Sequence, residues 1–351
     1  TDPNGALTSY DPDGFGRLTR VIGPLDSPTN PTTIVEYLDW GTPSLQRVKT
    51  SRRELHGGAG VLWSEDYFDG LGRVDQVKKE GPDNTIIMSE SAFDSRGLVL
   101  AATAPHFSTE AAVTTNFTYD VLGKQTRVDH PDGTHADTAY APGLITITDE
   151  RGKVRRKYFD GYGRMIQVDE INGTETYVTT YAYDATGSLK TVTNHLGHLT
   201  KMAYDPLGRK IAMCDPNMGT TVNVSNCTTS SVGAWVYTYN PAGDLLTQTD
   251  AKNQTFCFDY DSIGRPTFKR QRTGQDCTSA TTLVSYFYDD LTISPFPKGR
   301  LTKVIDQATT TKFVHDPMGR VTQTQRLFLG QWQTMAQSYG ALNQILTETF
   351  P

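Results

Sequence analysis

The chain has 351 residues, 36% of them hydrophobic and 10% aromatic, and a formal net charge of −6. That aromatic content excludes a disordered chain, and the acidic balance lacks the electrostatic footprint of a nucleic-acid binder. No apolar run approaches the roughly 18–20 residues of a membrane helix, so no membrane insertion is expected. Thr, Gly and Tyr are abundant and Ala-, Leu- and Glu-rich stretches scarce, which favours strands joined by many turns. The sequence starts at Thr1 with TDPNG, with no initiator Met or signal peptide, and stops at TETFP. It reads as a piece of a longer chain or a processed form.

In chain order one phrase recurs: an aromatic residue, Asp, two variable residues, Gly and often Arg. It opens at Asp13 to Gly16 in PDGFGR. A worn copy follows, EYLDWGTPSLQRV near Tyr37 to Val48, inside a 22–66 region that also holds Trp40, Trp63 and GGAG at 57–60. The phrase returns at Asp69–Gly72, at Gly97 and at Asp120–Gly123. A degenerate unit, YAPGLITIT, surrounds Gly143. Regular copies follow at Asp160–Gly163, Asp184–Gly187, Asp205–Gly208, Gly243, Asp261–Gly264, Gly299 and Asp316–Gly319. Where the array is regular the glycines lie 20 to 26 residues apart. Two longer steps of 35 residues read as single units with insertions, near 210–235 and 270–299. No linker or low-complexity tract interrupts the series, so residues 1–351 read as one continuous repeat array.

Each copy has the chemistry of a turn. Asp suits the first position, because its carboxylate accepts a bond from the main-chain N–H two residues on. Pro206 and Pro317 suit the second, where their fixed φ fits, and Gly the fourth, where a left-handed conformation costs it little. A type I turn followed by a left-handed glycine is the three-residue hairpin loop with a bulge. Both flanks read as strands. YAYD, YTYN and YFYD precede the turn with aromatics at period 2; GRLTRVI, GRVDQVK and GRLTKVI follow it. Apolar residues two and five places after the glycine have opposite parity, which calls for a bulge or for two partly apolar faces. The Tyr stripes are expected to stack between units, with their hydroxyls left for partners or water. A second motif supplies the return turn: TDPNG, HPDGT at 130–134, DERGK at 149–153, NHLGH at 194–198 and DPNMGT at 215–220. Each unit is then about two strands and two turns, stacked on the next as a long antiparallel ribbon.

The four cysteines, Cys214, Cys227, Cys257 and Cys277, form no C-x-x-C pair, which argues against a zinc or thioredoxin-type site. Their even count and their place in or beside the insertions favour Cys214–Cys227 and Cys257–Cys277 disulfides and an oxidising compartment. Four reduced structural thiols are the alternative.

Other chemistry is thin. The chain has no G-x-S-x-G and no P-loop, and its G-x-G pairs are turn glycines rather than a dinucleotide fingerprint. DPDGFG hints at a calcium loop, but its twelfth position is Ile22. His195 and His198 read as polar turn residues rather than metal ligands, and KVRRK at 153–157 as a solvated basic face. No cofactor is expected. The arginines after the turn glycines, Arg17, Arg73, Arg164, Arg209, Arg265, Arg300 and Arg320, allow two readings: a ligand ladder, or packing over neighbouring Tyr rings and pairing with turn aspartates. Recurrence with the turn favours the second. Special function is better sought where the repeat is interrupted, in the cysteine-bearing insertions and the 22–66 region.

The recurring Y-D-x-x-G-R, with Tyr at 119, 183, 204, 239, 260 and 288 and with Phe, Pro or His standing in elsewhere, resembles the YD repeat of RHS proteins over nearly the whole chain. That resemblance implies a scaffold. In bacterial Tc toxin complexes, polymorphic toxins and teneurins such repeats wind a long, curved β-ribbon into a hollow shell, which in the bacterial toxins encloses a C-terminal toxic segment. A shell takes many more repeats than these, so a shell segment is expected. The family's terminal D-P-x-G-R-F-like motif is missing, since DPLG and DPMG are followed by Arg-Lys and Arg-Val; self-cleavage is not carried over. The expectation is therefore an all-β, non-enzymatic, secreted or surface-exposed segment, and the resemblance implies a bacterial origin. Its partners would be the remaining shell, an enclosed polypeptide such as a toxin, or further copies joined through sheet edges. The alternative is an extracellular adhesin that holds glycan or protein on its Tyr and Arg rows.

Overall fold

A computed structural model describes every residue except 219–226, 230–232, 273–276 and 278–279. Its strands form a 29-stranded antiparallel sheet, and the helical pieces among the described residues are two short 3₁₀ turns, Pro82–Asn84 and Pro216–Met218. The main chain gathers into two compact units. The first comprises Thr1–Thr134, Phe287–Val304 and Thr309–Pro351, and the second His135–Tyr286 with Ile305–Ala308.

The repeat phrase makes the same hairpin in both units. In the second unit the strand Leu199–Tyr204 pairs with Lys210–Cys214. Tyr204 faces Lys210 and Ala203 faces Ala212, so Ile211 is left over as a bulge. The same slip leaves Ile166, Lys190, Leu246 and Thr267 unpaired. In the first unit it leaves Thr19, Asp75, Leu100, Thr126 and Thr322. Each is the third residue after a turn glycine. The bulge resolves the parity conflict in the sequence: one extra residue moves the following side chains to the other phase of the pleat.

Turn glycines take left-handed conformations, as at Gly208 (φ 77°) and Gly163 (φ 77°). Two turns of this kind use asparagine, Asn253 and Asn343, both at φ 63°, and the sequence pattern built on glycine passes over them. Asparagine is the residue that most readily replaces glycine there. Gly143 is different. It lies in a two-residue loop between Ala141 and Leu144, which face each other across a tight hairpin.

The dry core is thin. Among the described residues the buried apolar side chains are Ala212, Cys214, Ala234, Cys257 and Ala341, with the prolines Pro31 and Pro297. Cohesion therefore rests on strand pairing and on the half-buried aromatic and arginine side chains between repeats.

Candidate interaction surface: the turn ladder and its interruptions

In each regular turn the aspartate is saturated. Asp205 Oδ1 accepts the main-chain N–H groups of Leu207 (3.0 Å) and Arg209 (2.9 Å), and Oδ2 pairs with Arg209 Nε at 2.7 Å. Asp13, Asp69, Asp160 and Asp261 do the same with Arg17, Arg73, Arg164 and Arg265, and Asp316 bonds Arg320 alike. Asp120 and Asp184, which have no arginine after the glycine, keep the two main-chain bonds. The Arg73 main-chain N–H, with its side chain and Leu71 N–H, holds the Asp69 carboxyl below the usual range. Arg265 and Ile263 do so for Asp261, and Leu98 with Arg96 for Asp94.

The arginine also reaches the next repeat. Arg209 Nη1 donates to Asn240 O (2.9 Å), the first residue of the following turn, and its guanidinium lies 4.9 Å from the Tyr239 ring. Arg73 reaches Asp94 O and the Phe93 ring, and Arg320 reaches Gly340 O and the Tyr339 ring. Arg164 lies over Tyr183 and Arg17 over Tyr37. Arg300 keeps the reach to the next turn, bonding Asp316 O, but within its own turn it bonds Phe296 O in place of an aspartate carboxylate.

The tyrosine hydroxyls are not left for solvent. Tyr183, Tyr204, Tyr239 and Tyr260 donate to the carbonyls of Met165, Leu189, Lys210 and Leu245 at 2.8–2.9 Å. In the first unit Tyr37, Tyr119 and Tyr339 donate to Leu18, Val99 and Val321. Every acceptor is the second residue after the preceding turn glycine, beside the bulge. The sequence shows the tyrosine's period but not this target, because the acceptor is a main-chain atom that any residue supplies.

What the repeat exposes is the residue before the glycine. Phe15 and Tyr162 are each 88% exposed, and Leu71, Leu122, Leu207 and Ile263 project at the same position. KVRRK keeps Lys153, Arg155 and Arg156 exposed at the strand surface, where Arg155 pairs with Glu170 at 2.5 Å, Lys153 Nζ donates to Asn172, and Arg156 stands opposite Asp169. His195 packs edge-on against Tyr177, and the His198 N–H caps Asn194. Asp11 pairs with Arg20. Among the described residues no group of three His, Cys, Asp or Glu side chains is placed to hold a metal ion.

The insertions are tied down covalently. Cys214 bonds Cys227 and Cys257 bonds Cys277. Much of the chain between each pair lies outside the described residues.

The 22–66 interruption forms a built cluster in the first unit. The Asp26 carboxylate, with no exposed side-chain surface, accepts Thr32 Oγ1 (2.5 Å), His56 Nδ1 (3.1 Å) and the Gly57 N–H (3.1 Å). Burial by itself would raise its pKa, but these bonds outweigh burial and hold the carboxyl low. Arg53 braces the cluster through Pro31 O and Gly58 O. The far side of this segment meets the chain's last two turns: Ala341 N–H and Gln344 Nε2 donate to Glu54 O, and Arg320 Nη2 lies 3.3 Å from His56 Nε2. A second closure joins Asn4 to Lys298 and Asp2 to Arg300.

A family model described as the teneurin YD-shell matches residues 142–294. No curated protein matches the chain. A solved Photorhabdus luminescens Tc holotoxin pore is similar at 14% identity and a TM-score of 0.72, over 89% of this chain and 18% of that one. A TcdB2-TccC3-Cdc42 crystal structure is similar at 13% identity and a TM-score of 0.63, over 100% of this chain and 27% of that one. The chain thus spans between about a fifth and about a quarter of the length of these solved chains, and the likeness is one of fold.

Proposed function

The chain is an RHS/YD-repeat protein, and from that premise we propose that it is a segment of a larger β-shell that encloses or displays another polypeptide, such as a toxin. One observation carries this reading. The recurrent Tyr, Asp and Arg side chains, the groups that could have formed a ligand ladder, spend their hydrogen bonds within their own turn or on neighbouring repeats. Such a unit repeats because each copy must dock on the last, which is the logic of a scaffold rather than of a binding site. The exposed turn-tip side chains are then free for the remaining shell or a partner chain. The two disulfides favour an oxidising, extracellular setting. We read the chain as non-enzymatic, since the recurrent aspartates and arginines are committed to the turns.

The test is protease protection of the longer protein that carries this segment. A polypeptide inside the shell should resist cleavage until the shell is opened by denaturant. Equal cleavage rates with the shell intact and opened would overturn the enclosing role. Binding of glycans by the folded segment, lost in a Tyr or Arg variant, would favour the adhesin reading instead.

A further inference from the structure

We propose that His56 and Arg320 form a proton-sensitive latch, which fastens the 22–66 interruption to the last repeat of the first unit when His56 is neutral and releases it when His56 is charged. The two residues are 264 positions apart in sequence and 3.3 Å apart in space.

Their chemistry fixes the proton positions. A guanidinium has no acceptor, so His56 Nε2 must accept from Arg320, and the ring proton sits on Nδ1, facing Asp26 Oδ2 at 3.1 Å. Protonation places a second N–H where the acceptor was and sets two cations against each other. The break then falls on one side only. The imidazolium is drawn to the buried Asp26 carboxylate, which Thr32 and Gly57 hold in place. Arg320 stays with its own turn through Asp316 (2.7 Å) and with the next turn through Gly340 O (2.7 Å). The charged groups tied to the ring are Asp26 from the 23–32 loop and Arg320, which bond it, Asp316, which pairs with Arg320, and Arg53 from its own segment. Of these, Arg53 is engaged with Pro31 O and Gly58 O, so Arg320 is the cation aligned on Nε2. What loosens is the seam in which Ala341 N–H donates to Glu54 O.

Site-resolved hydrogen exchange on the whole chain tests this between about pH 7.5 and pH 5, the interval in which histidines change charge. After correction for intrinsic rates, exchange at Ala341 should rise by about tenfold at the lower pH, the scale expected for loss of the seam's bonds. Exchange at Gly57, held by Asp26, and at Gly319, inside the last repeat's own turn, should not rise. His56→Gln keeps an acceptor for Arg320 and cannot titrate, so its Ala341 protection should be the same at both pH values. That variant also separates His56 from His315, a buried histidine of the same unit whose pKa is pushed down by burial and by Arg300. Unchanged Ala341 protection in the wild type, or an equal loss in His56→Gln, would overturn the latch. So would an equal rise at Gly319, a reading available from the wild type alone should the variant fail to fold.

Discussion

The hydroxyl of Tyr204 donates to the main-chain oxygen of Leu189, 2.9 Å away and one repeat back. This bond converts a sequence period into cohesion between units, because the ring packs over the preceding hairpin while its polar tip fills a main-chain acceptor beside the bulge. Tyr204→Phe keeps the ring and orphans the carbonyl. Urea unfolding should show a loss of about 1 kcal/mol, the usual net worth of one hydrogen bond. Tyr204→Ala also removes packing and should cost roughly twice that or more. If Tyr204→Phe leaves the midpoint unchanged, the hydroxyl contributes nothing to the joint between repeats.

The arginine makes a second joint. Arg209 bonds Asp205 in its own turn and Asn240 in the next, and lies over Tyr239. Lysine keeps the charge but has neither the fork nor the flat face. Arg209→Lys should therefore destabilise by about 1 kcal/mol, a modest figure because the pair is partly solvated. A double-mutant cycle of Arg209→Lys with Tyr239→Leu should give a coupling of about 0.5–1 kcal/mol. Strict additivity would show that the ring and the guanidinium are neighbours without an energetic link.

Within a single turn, two glycines make unequal demands. Gly163 sits at φ 77°, whereas Gly161 has no left-handed φ and nothing within 4 Å of the place an added methyl group would take. Gly163→Ala should cost about 1–2 kcal/mol for forcing a side chain into the left-handed region. Gly161→Ala should be neutral or slightly stabilising, because it narrows the unfolded ensemble. Matched thermal unfolding of the two variants decides the point, and equal destabilisation would refute the turn assignment.

Much of this fold was legible because turn chemistry is local. Asp205, Pro206 and Gly208 each announce a turn position in sequence, and the parity of Leu18 and Val21 already called for a bulge or for two partly apolar faces. Two kinds of feature were not legible. Asn253 and Asn343 perform the glycine's role without its letter. The acceptors of the Tyr and Arg groups are main-chain carbonyls, which carry no residue identity. The 22–66 region could be marked as an interruption, but the meeting of His56 with Arg320 depends on how the first unit closes, and no periodicity encodes that closure.

Each disulfide closes a short loop, of sequence separation 13 for Cys214–Cys227 and 20 for Cys257–Cys277. By loop-closure entropy each should add about 3 kcal/mol. Native protein should contain no titratable thiol, and Cys257→Ser with Cys277→Ser should lower stability by about that amount. Reducing agent should leave the double variant with one remaining transition shift, from the Cys214–Cys227 bridge. Four reactive thiols in freshly purified native protein would contradict both pairings.

Acid should unfold the array through its turns. Asp69, Asp94 and Asp261 are held below the ordinary carboxylate range, chiefly by the main-chain N–H groups of Arg73, Leu98 and Arg265. A group whose folded pKa is depressed contributes stability that is present above its unfolded pKa, near 4, and that is lost as pH falls through the folded value. The loss therefore belongs below about pH 4. Because many repeats carry the same aspartate, the melting temperature should hold roughly steady down to that pH and then fall steeply. Asp261→Asn keeps acceptor capacity for the turn but cannot titrate, so it should lower the melting temperature at pH 7 and flatten the acid slope. Thermal melts by circular dichroism from pH 7 to pH 2 give both readings, and a variant with the wild-type slope would show that the turn aspartates do not set acid stability.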